Sequence, residues 1–218
     1  MTPNPGQQQS DLYRPAFVHN CLAVLVRAHG DLSGSSLANQ EEPSITGLIV
    51  KRAKEVIESE DAEPWMDHLV VLDDPPQNDQ AERLGKKRPR IDIEFVEARR
   101  GPRPRFHVEA KRLYRSDSLG KYVGANGLGM FLSGTYASVW PSAGMLGYVQ
   151  TQGCADWRGK LADRLTKDGA DFHACKDEEI SSPGWSTVGL EEVIDSCHER
   201  ISADLGRIKI SHLLLDCR

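Results

Sequence analysis

The sequence predicts a mixed α/β protein of the α+β kind, a mixed central β-sheet flanked by helices and closed by a C-terminal β-hairpin. Helical spacing of apolar residues dominates the first sixty positions, and period-two alternation dominates 67–112. Two further apolar runs, joined by SADLG, end the chain. A length of 218 residues suits one domain. The expected division is a disordered N-terminus over 1–10 and one domain over 11–218, with a core at about 40–150 and an extension over 151–218.

Taken in order, Leu12 to Ala28 carries Phe17, Cys21, Val24 and Leu25 at helical spacing, and GDLSGSSLANQ ends that helix. In EEPSITGLIVKRAKEVIE, Ile45, Leu48, Ile49, Ala53, Val56 and Ile57 form an apolar stripe over 45–58. Pro43 suits a first helical turn, and Glu41 and Glu42 suit the positive end of the helix dipole. Strands are expected near 67–73, 90–97 and 105–112, the first closed by the turn chemistry of DDPPQNDQ. The glycines of KYVGANGLGMFLSGTYASVW weaken any helix there, although Val123, Leu128, Met130, Phe131 and Tyr136 can still form a buried face. GMLGYVQ reads as a central strand over 145–150, and DWRGKLADRLTKD as a helix. EVIDSCHERI and RIKISHLLLDC read as the closing hairpin.

No apolar run approaches the ~20 residues a bilayer requires, and MTPNPGQQQS lacks the basic-then-apolar order of a signal peptide. The five cysteines include no CxxC pair. The expectation is a reduced, cytoplasmic protein with no membrane partner and no structural zinc. GxSxG and P-loop motifs are also missing, so serine-hydrolase and nucleotide-hydrolase chemistry find no support.

Charge is unevenly placed. The whole chain carries 27 Lys/Arg and 32 Asp/Glu, yet thirteen of the basic residues and only five of the acidic ones lie between Arg83 and Lys121. A basic island in an acidic chain is compatible with a polyanionic substrate, and equally with a solvated basic loop. Arg99, Arg100, Arg103 and Arg105, on a loop with two prolines, and Arg112 are the candidate phosphate contacts.

The same island holds the candidate chemistry. Pairing RIDIEFVEA with FHVEAKRL as antiparallel strands puts Ile91, Ile93, Phe95, Phe106, Val108 and Ala110 on one face. Asp92, Glu94, His107, Glu109 and Lys111 share the other. Asp92 then lies opposite Glu109, and Glu94 opposite His107. Like charges directly opposed on a sheet are destabilising. Either both groups reach water, or a divalent cation sits between them, because Mg²⁺ is held by one or two carboxylates together with phosphate oxygens. On the second reading Asp92→Ala abolishes metal binding and leaves stability intact or improved. Glu94 reads as a solvated strand residue, and His107 either pairs with it or contacts phosphate. His198, Arg200 and His212 read as structural, and Tyr136 and Trp140 as core.

Asp92, followed seventeen residues later by Glu109-Ala110-Lys111, resembles the PD-(D/E)xK, or restriction-endonuclease-like, nuclease superfamily. The likeness covers roughly 40–150 and departs from the pattern at the proline, since Pro89 stands three residues before Asp92. It implies a core of helix, three-stranded meander, helix and further strand. It further implies that Asp92, Glu109 and the carbonyl of Ala110 hold Mg²⁺ or Mn²⁺, that Lys111 orients the attacking water, and that Glu42 completes the site. The implied activity is metal-dependent hydrolysis of phosphodiester bonds, with DNA favoured. A chain of this size is then expected to gain specificity or activation from a homodimer or a partner protein. Residues 122–148, with Tyr122, Gly124, Tyr136 and AGMLGY, resemble stretches of nuclease-like proteins from bacterial antiviral defence loci. The alternative is a nuclease-fold subunit without activity, serving binding or assembly in a larger complex.

Overall fold

A computed structural model describes residues 15–32, 37–77, 88–98, 103–185 and 187–218. The expected disordered segment 1–10 and the residues Arg99 and Arg100 lie outside the described residues. A six-stranded mixed sheet is flanked by helices on both faces. Its strands are β1 (Leu69–Asp73), β2 (Ile93–Glu97), β3 (Arg105–Leu113), β4 (Ser142–Val149), β5 (Ile194–Glu199) and β6 (Arg207–Asp216), in the spatial order β1-β2-β3-β4-β6-β5. β1, β2 and β3 form an antiparallel meander, β3, β4 and β6 run parallel, and β5 closes the far edge antiparallel to β6. The closing hairpin of the sequence reading is therefore present, with β6 rather than β5 inserted against β4.

The helices are α1 (Pro15–Gly30), α2 (Glu42–Ile57), α3 (Ser118–Val123), α4 (Leu128–Leu132) and α5 (Cys154–Lys167). α1 and α2 bury their apolar stripes, among them Cys21, Leu25, Ile45 and Ile49, against Ile93, Phe95, Phe106, Val108, Leu146 and Tyr148 of one sheet face. α3, α4 and α5 cover the opposite face, packing Tyr122, Leu128, Phe131, Trp157 and Leu161 on Leu113, Met145, Val149, Ile208 and Ile210. Parallel strands need both faces covered, and the near-continuous burial of β4 follows from that. Tyr136 and Trp140 join this second cluster, as expected of core residues.

Three local expectations are corrected. Residues 64–68 (PWMDH) form a 3₁₀ turn, with Pro64 in its first positions, so the first strand begins only at Leu69. The second strand begins at Ile93, because the chain bends at Asp92. That bend also carries Ile91 into the second cluster, away from Ile93 and Phe95. The ambiguous stretch after β3 resolves into two short helices broken at Gly124 and Gly127. The Gly127 backbone sits at φ −134°, ψ −114°, and a Cβ there would lie 2.2 Å from the Tyr122 carbonyl oxygen. Only glycine lets the chain pass so close to the end of α3.

Candidate active site

The β2–β3 register places Glu94 opposite His107 and Ile93 opposite Val108. One step beyond that ladder, the Ala110 N–H donates to Asp92 Oδ2 at 2.7 Å. The Asp92 carboxylate thus accepts from β3 where the β2 ladder has ended. On the other side, Asp92 stays tied to the end of β1, its carbonyl accepting from the Asp74 N–H at 3.0 Å. From here β3 continues alone toward β4, pairing Glu109 with Met145 and Lys111 with Gly147. A parting of strands of this kind opens a notch at one end of the sheet, and the acidic groups line it.

α2 closes the notch from the other side. Glu42, its first residue, receives a hydrogen bond from the Arg112 N–H at 3.0 Å through Oε2, while its Oε1 lies 3.2 Å from Lys111 Nζ. Lys111 Nζ also donates to Glu109 Oε1 at 2.6 Å and to the Ala110 carbonyl at 2.7 Å. Four groups far apart in sequence, Glu42, Asp92, Glu109 and Lys111, therefore form one cluster. Glu41 points outward and pairs with Arg112 at 2.7 Å, so Glu42 is the helix acid that meets the lysine.

The electrostatics follow from placing three carboxylates and one ammonium in a largely buried notch. Burial, and then the neighbouring Asp92 carboxylate, push the Glu109 carboxyl up to about 8. Burial likewise raises Asp92, opposed by its hydrogen bond from Ala110 and by the charge of Lys111. Burial pulls Lys111 down, but Glu109 and Glu42 outweigh it and the net direction is up. The second oxygen of Glu109, Oε2, is buried and has no hydrogen-bond partner. Since Oε1 is engaged by Lys111, Oε2 is the position open to a proton or to a cation.

This donor set bears directly on whether the notch can hold a metal. Among the described residues no group of three or more His, Cys, Asp and Glu side chains is arranged as a metal cage. The set available is two carboxylates, Asp92 and Glu109, with the Ala110 carbonyl between them. Mg²⁺ keeps several waters and uses few protein ligands, so two carboxylates with an orphaned buried oxygen fit it. A structural zinc site, which needs four closed ligands, would not fit.

The remaining sequence candidates are partly drawn in. Glu94, expected to be solvated, is only 2% exposed. It pairs with Arg105 and lies 3.7 Å from His107 Nε2, at a position of β2 that is flanked by β1 on one side and β3 on the other. Burial alone would raise Glu94, yet His107 and Arg105 hold it below its ordinary value. Arg112 is held by Glu41 and by the Gln40 carbonyl at 3.2 Å, and it stacks on Tyr114 at 4.5 Å. Arg103 precedes β3 and has a partner of its own. Arg105 and Arg112 thus serve the local fold in this arrangement. His198, Arg200 and His212 are buried on or just beyond β5 and β6, consistent with structural roles. Asp92→Ala is no longer expected to be neutral, because the substitution would strip the Ala110 N–H of its acceptor.

Two neighbours of the site were not signalled by the sequence. Asp74, from the turn after β1, adds negative charge beside Asp92 while pairing with Arg90 at 2.6 Å. The Tyr136 hydroxyl donates to the Arg90 carbonyl at 2.6 Å, close enough to Glu109 and Asp92 that burial and then those carboxylates raise its pKa. Both arrive through tertiary packing, and only the DDPP turn signal hinted that Asp74 would be near a strand end.

No family model matches the chain, and comparisons with curated proteins and with solved structures likewise return no match.

Proposed function

We propose that this chain is a Mg²⁺- or Mn²⁺-dependent nuclease with a restriction-endonuclease-like core, hydrolysing phosphodiester bonds with DNA as the favoured substrate. The observation that carries the reading is the convergence of Glu42, Asp92, Glu109 and Lys111, with Lys111 Nζ 2.6 Å from Glu109 and 3.2 Å from Glu42. Asp92, Glu109 and the Ala110 carbonyl would hold the metal. When bound, the ion neutralises phosphate charge and acidifies water. Lys111 keeps its proton, since its acidic neighbours raise it, and so acts as a hydrogen-bond donor that holds a water in place. Glu42 fixes the direction of that ammonium and tethers α2 to β3 through the Arg112 N–H. Asp92 is held rigid by Ala110, so its second oxygen is presented at a fixed place. A role in antiviral defence, and a homodimer or partner protein that supplies specificity, belong to the same proposal and rest on sequence resemblance and size.

One feature favours the second reading, a nuclease-fold subunit that binds without cutting. Lys111 donates to Glu109 Oε1 and to the Ala110 carbonyl, so it engages two of the three groups a metal would use. Calorimetric titration of Mg²⁺ and Mn²⁺ into wild type and Glu109→Ala, with plasmid nicking on the same samples, separates the two. The nuclease reading expects binding and nicking in wild type and neither in the variant. Binding without nicking, unchanged by addition of candidate partners, points to the silent subunit. Equal behaviour of the two proteins removes the metal site altogether.

A further inference from the structure

At the edge of the sheet remote from the acidic notch, the segment after α5 returns to lie along β5. The Cys175 N–H donates to the Cys197 carbonyl at 2.9 Å, the Glu199 N–H donates to the His173 carbonyl at 2.7 Å, and Ala174 bridges His198 antiparallel between them. Cys175 and Cys197 therefore stand directly opposite each other, one position along from that bridge. Opposed residues of an antiparallel pair hold their Cα atoms about 4.5–5.5 Å apart, within the window that a disulfide requires. Their side chains also point the same way, with the two Sγ atoms in contact at 2.6 Å. The neighbouring His198 Nδ1 donates to the Phe172 carbonyl at 2.7 Å, so the backbone on both sides of the pair is pinned. Cys21, by contrast, is sealed in the first cluster, and Cys154 and Cys217 lie near the other end of β6.

We propose that Cys175 and Cys197 are a redox pair that closes to an intrachain disulfide in the presence of a low-molecular-weight disulfide such as oxidised glutathione. Cys197 is half-buried and Cys175 is buried, so Cys197 meets the reagent first. Its thiolate attacks one glutathione sulfur, expelling a glutathione thiolate and forming a mixed disulfide. The Cys175 thiolate then attacks Cys197 Sγ and expels the second glutathione. Two thiol protons leave the protein and two glutathione thiols form, so electrons and protons balance. Burial, then the adjoining Cys175 and Glu178, hold the Cys197 thiol well above its ordinary value, so closure accelerates as pH rises. The product covalently staples the chain between α5 and the Cys175 position to the outer strand of the sheet.

The test is peptide mapping of the native protein after incubation with oxidised glutathione at pH 7 and pH 9, with free thiols alkylated before digestion. The expected result is one cross-linked peptide pair joining Cys175 to Cys197, formed faster at pH 9 and absent after reduction. The oxidised protein should melt roughly 5–10 °C above the reduced one, as a loop of about this size predicts. Cys197→Ser should abolish both the cross-link and the shift, leaving a Cys175 that oxidised glutathione does not bridge. Alkylation of both thiols after full incubation, or a cross-link joining any other pair of cysteines, would overturn the proposal. The mapping needs only wild-type protein, so a poorly folding variant does not obscure it.

Discussion

At the scale of single residues, the informative group is Glu109. Its strand neighbours would leave an ordinary carboxylate ionised, yet burial and Asp92 push it up to about 8. At neutral pH the metal-free protein therefore keeps a proton on a side chain that a cation needs deprotonated. Metal binding must expel that proton, so affinity for Mg²⁺ should climb with pH until about pH 8 and then level off. Calorimetry at pH 7 in two buffers of different ionisation enthalpy should show close to one proton released per ion bound. At pH 9 the released proton should vanish. A binding reaction that releases no proton at pH 7 would mean that Glu109 is not a ligand, whatever else the notch holds. Lys111 does not compete for this role, because its acidic neighbours keep it charged throughout the range.

At the scale of elements, the notch depends on how β3 is held on each side. α2 reaches β3 through Glu42, and it reaches the adjoining β4 through a buried hydrogen bond between Thr46 and the Tyr148 hydroxyl at 2.9 Å. On the other face, α3 and α4 cover β3 and β4, and their junction turns on Gly127. Gly127→Ala should cost about 1–3 kcal/mol, because the added methyl meets backbone carbonyls of Lys121 and Tyr122 rather than a yielding side chain. Gly120→Ala, where nothing lies within 4 Å of the added carbon, is the control and should leave the melting temperature within a degree or two. Equal loss in both would mean that the close approach to the Lys121 and Tyr122 carbonyls is not what makes Gly127 necessary. These same elements show what the sequence could reveal. Period-two alternation placed Glu94 opposite His107 and put Asp92, Glu109 and Lys111 near one another. Alternation names the side of a sheet but not what covers it, so Glu94 read as solvated and proved buried. The bend at Asp92 was equally hidden, because it arises where β2 loses β3 as a partner, a tertiary event with no local signal. Chain order and helix polarity did bring Glu42 to the correct end of α2, whereas Asp74 and Tyr136 came from turns whose path only packing fixes.

At the scale of the whole molecule, two buried titrating centres on different parts of the sheet set opposite limits to stability. Beneath α3, His198 donates from Nδ1 to the Phe172 carbonyl, so its Nε2 accepts from Ser196 Oγ at 2.7 Å. Ser196 Oγ can then accept from His212 Nε2 at 2.8 Å, and His212 Nδ1 faces the Tyr122 hydroxyl at 3.1 Å. Both rings are neutral in this arrangement, and the single Tyr122 hydroxyl proton also has the Met145 carbonyl at 3.0 Å as an acceptor. Burial, and then the nearby His198, lower His212 to about 3 from an ordinary 6.5. Between those values the unfolded chain binds the extra proton and the native one does not, so stability should fall as pH drops from about 6.5 toward 3. Glu109 works in the reverse sense. Its native pKa lies above the ordinary 4.5, so the native state binds more protons between 4.5 and about 8 and should lose stability as pH rises through that window. Each limb is worth on the order of a few kcal/mol. The melting temperature of metal-free protein should therefore peak near pH 5–6.5. Glu109→Gln should flatten the alkaline limb up to pH 8 and leave the acid loss below about pH 4.5 in place, and saturating Mg²⁺ should flatten the same alkaline limb in wild type by binding the ionised form. An alkaline limb that survives in Glu109→Gln would assign that loss to another group. If the limb disappears in the variant but persists in wild type with Mg²⁺, the buried carboxyl is real and the metal it was taken to hold is not.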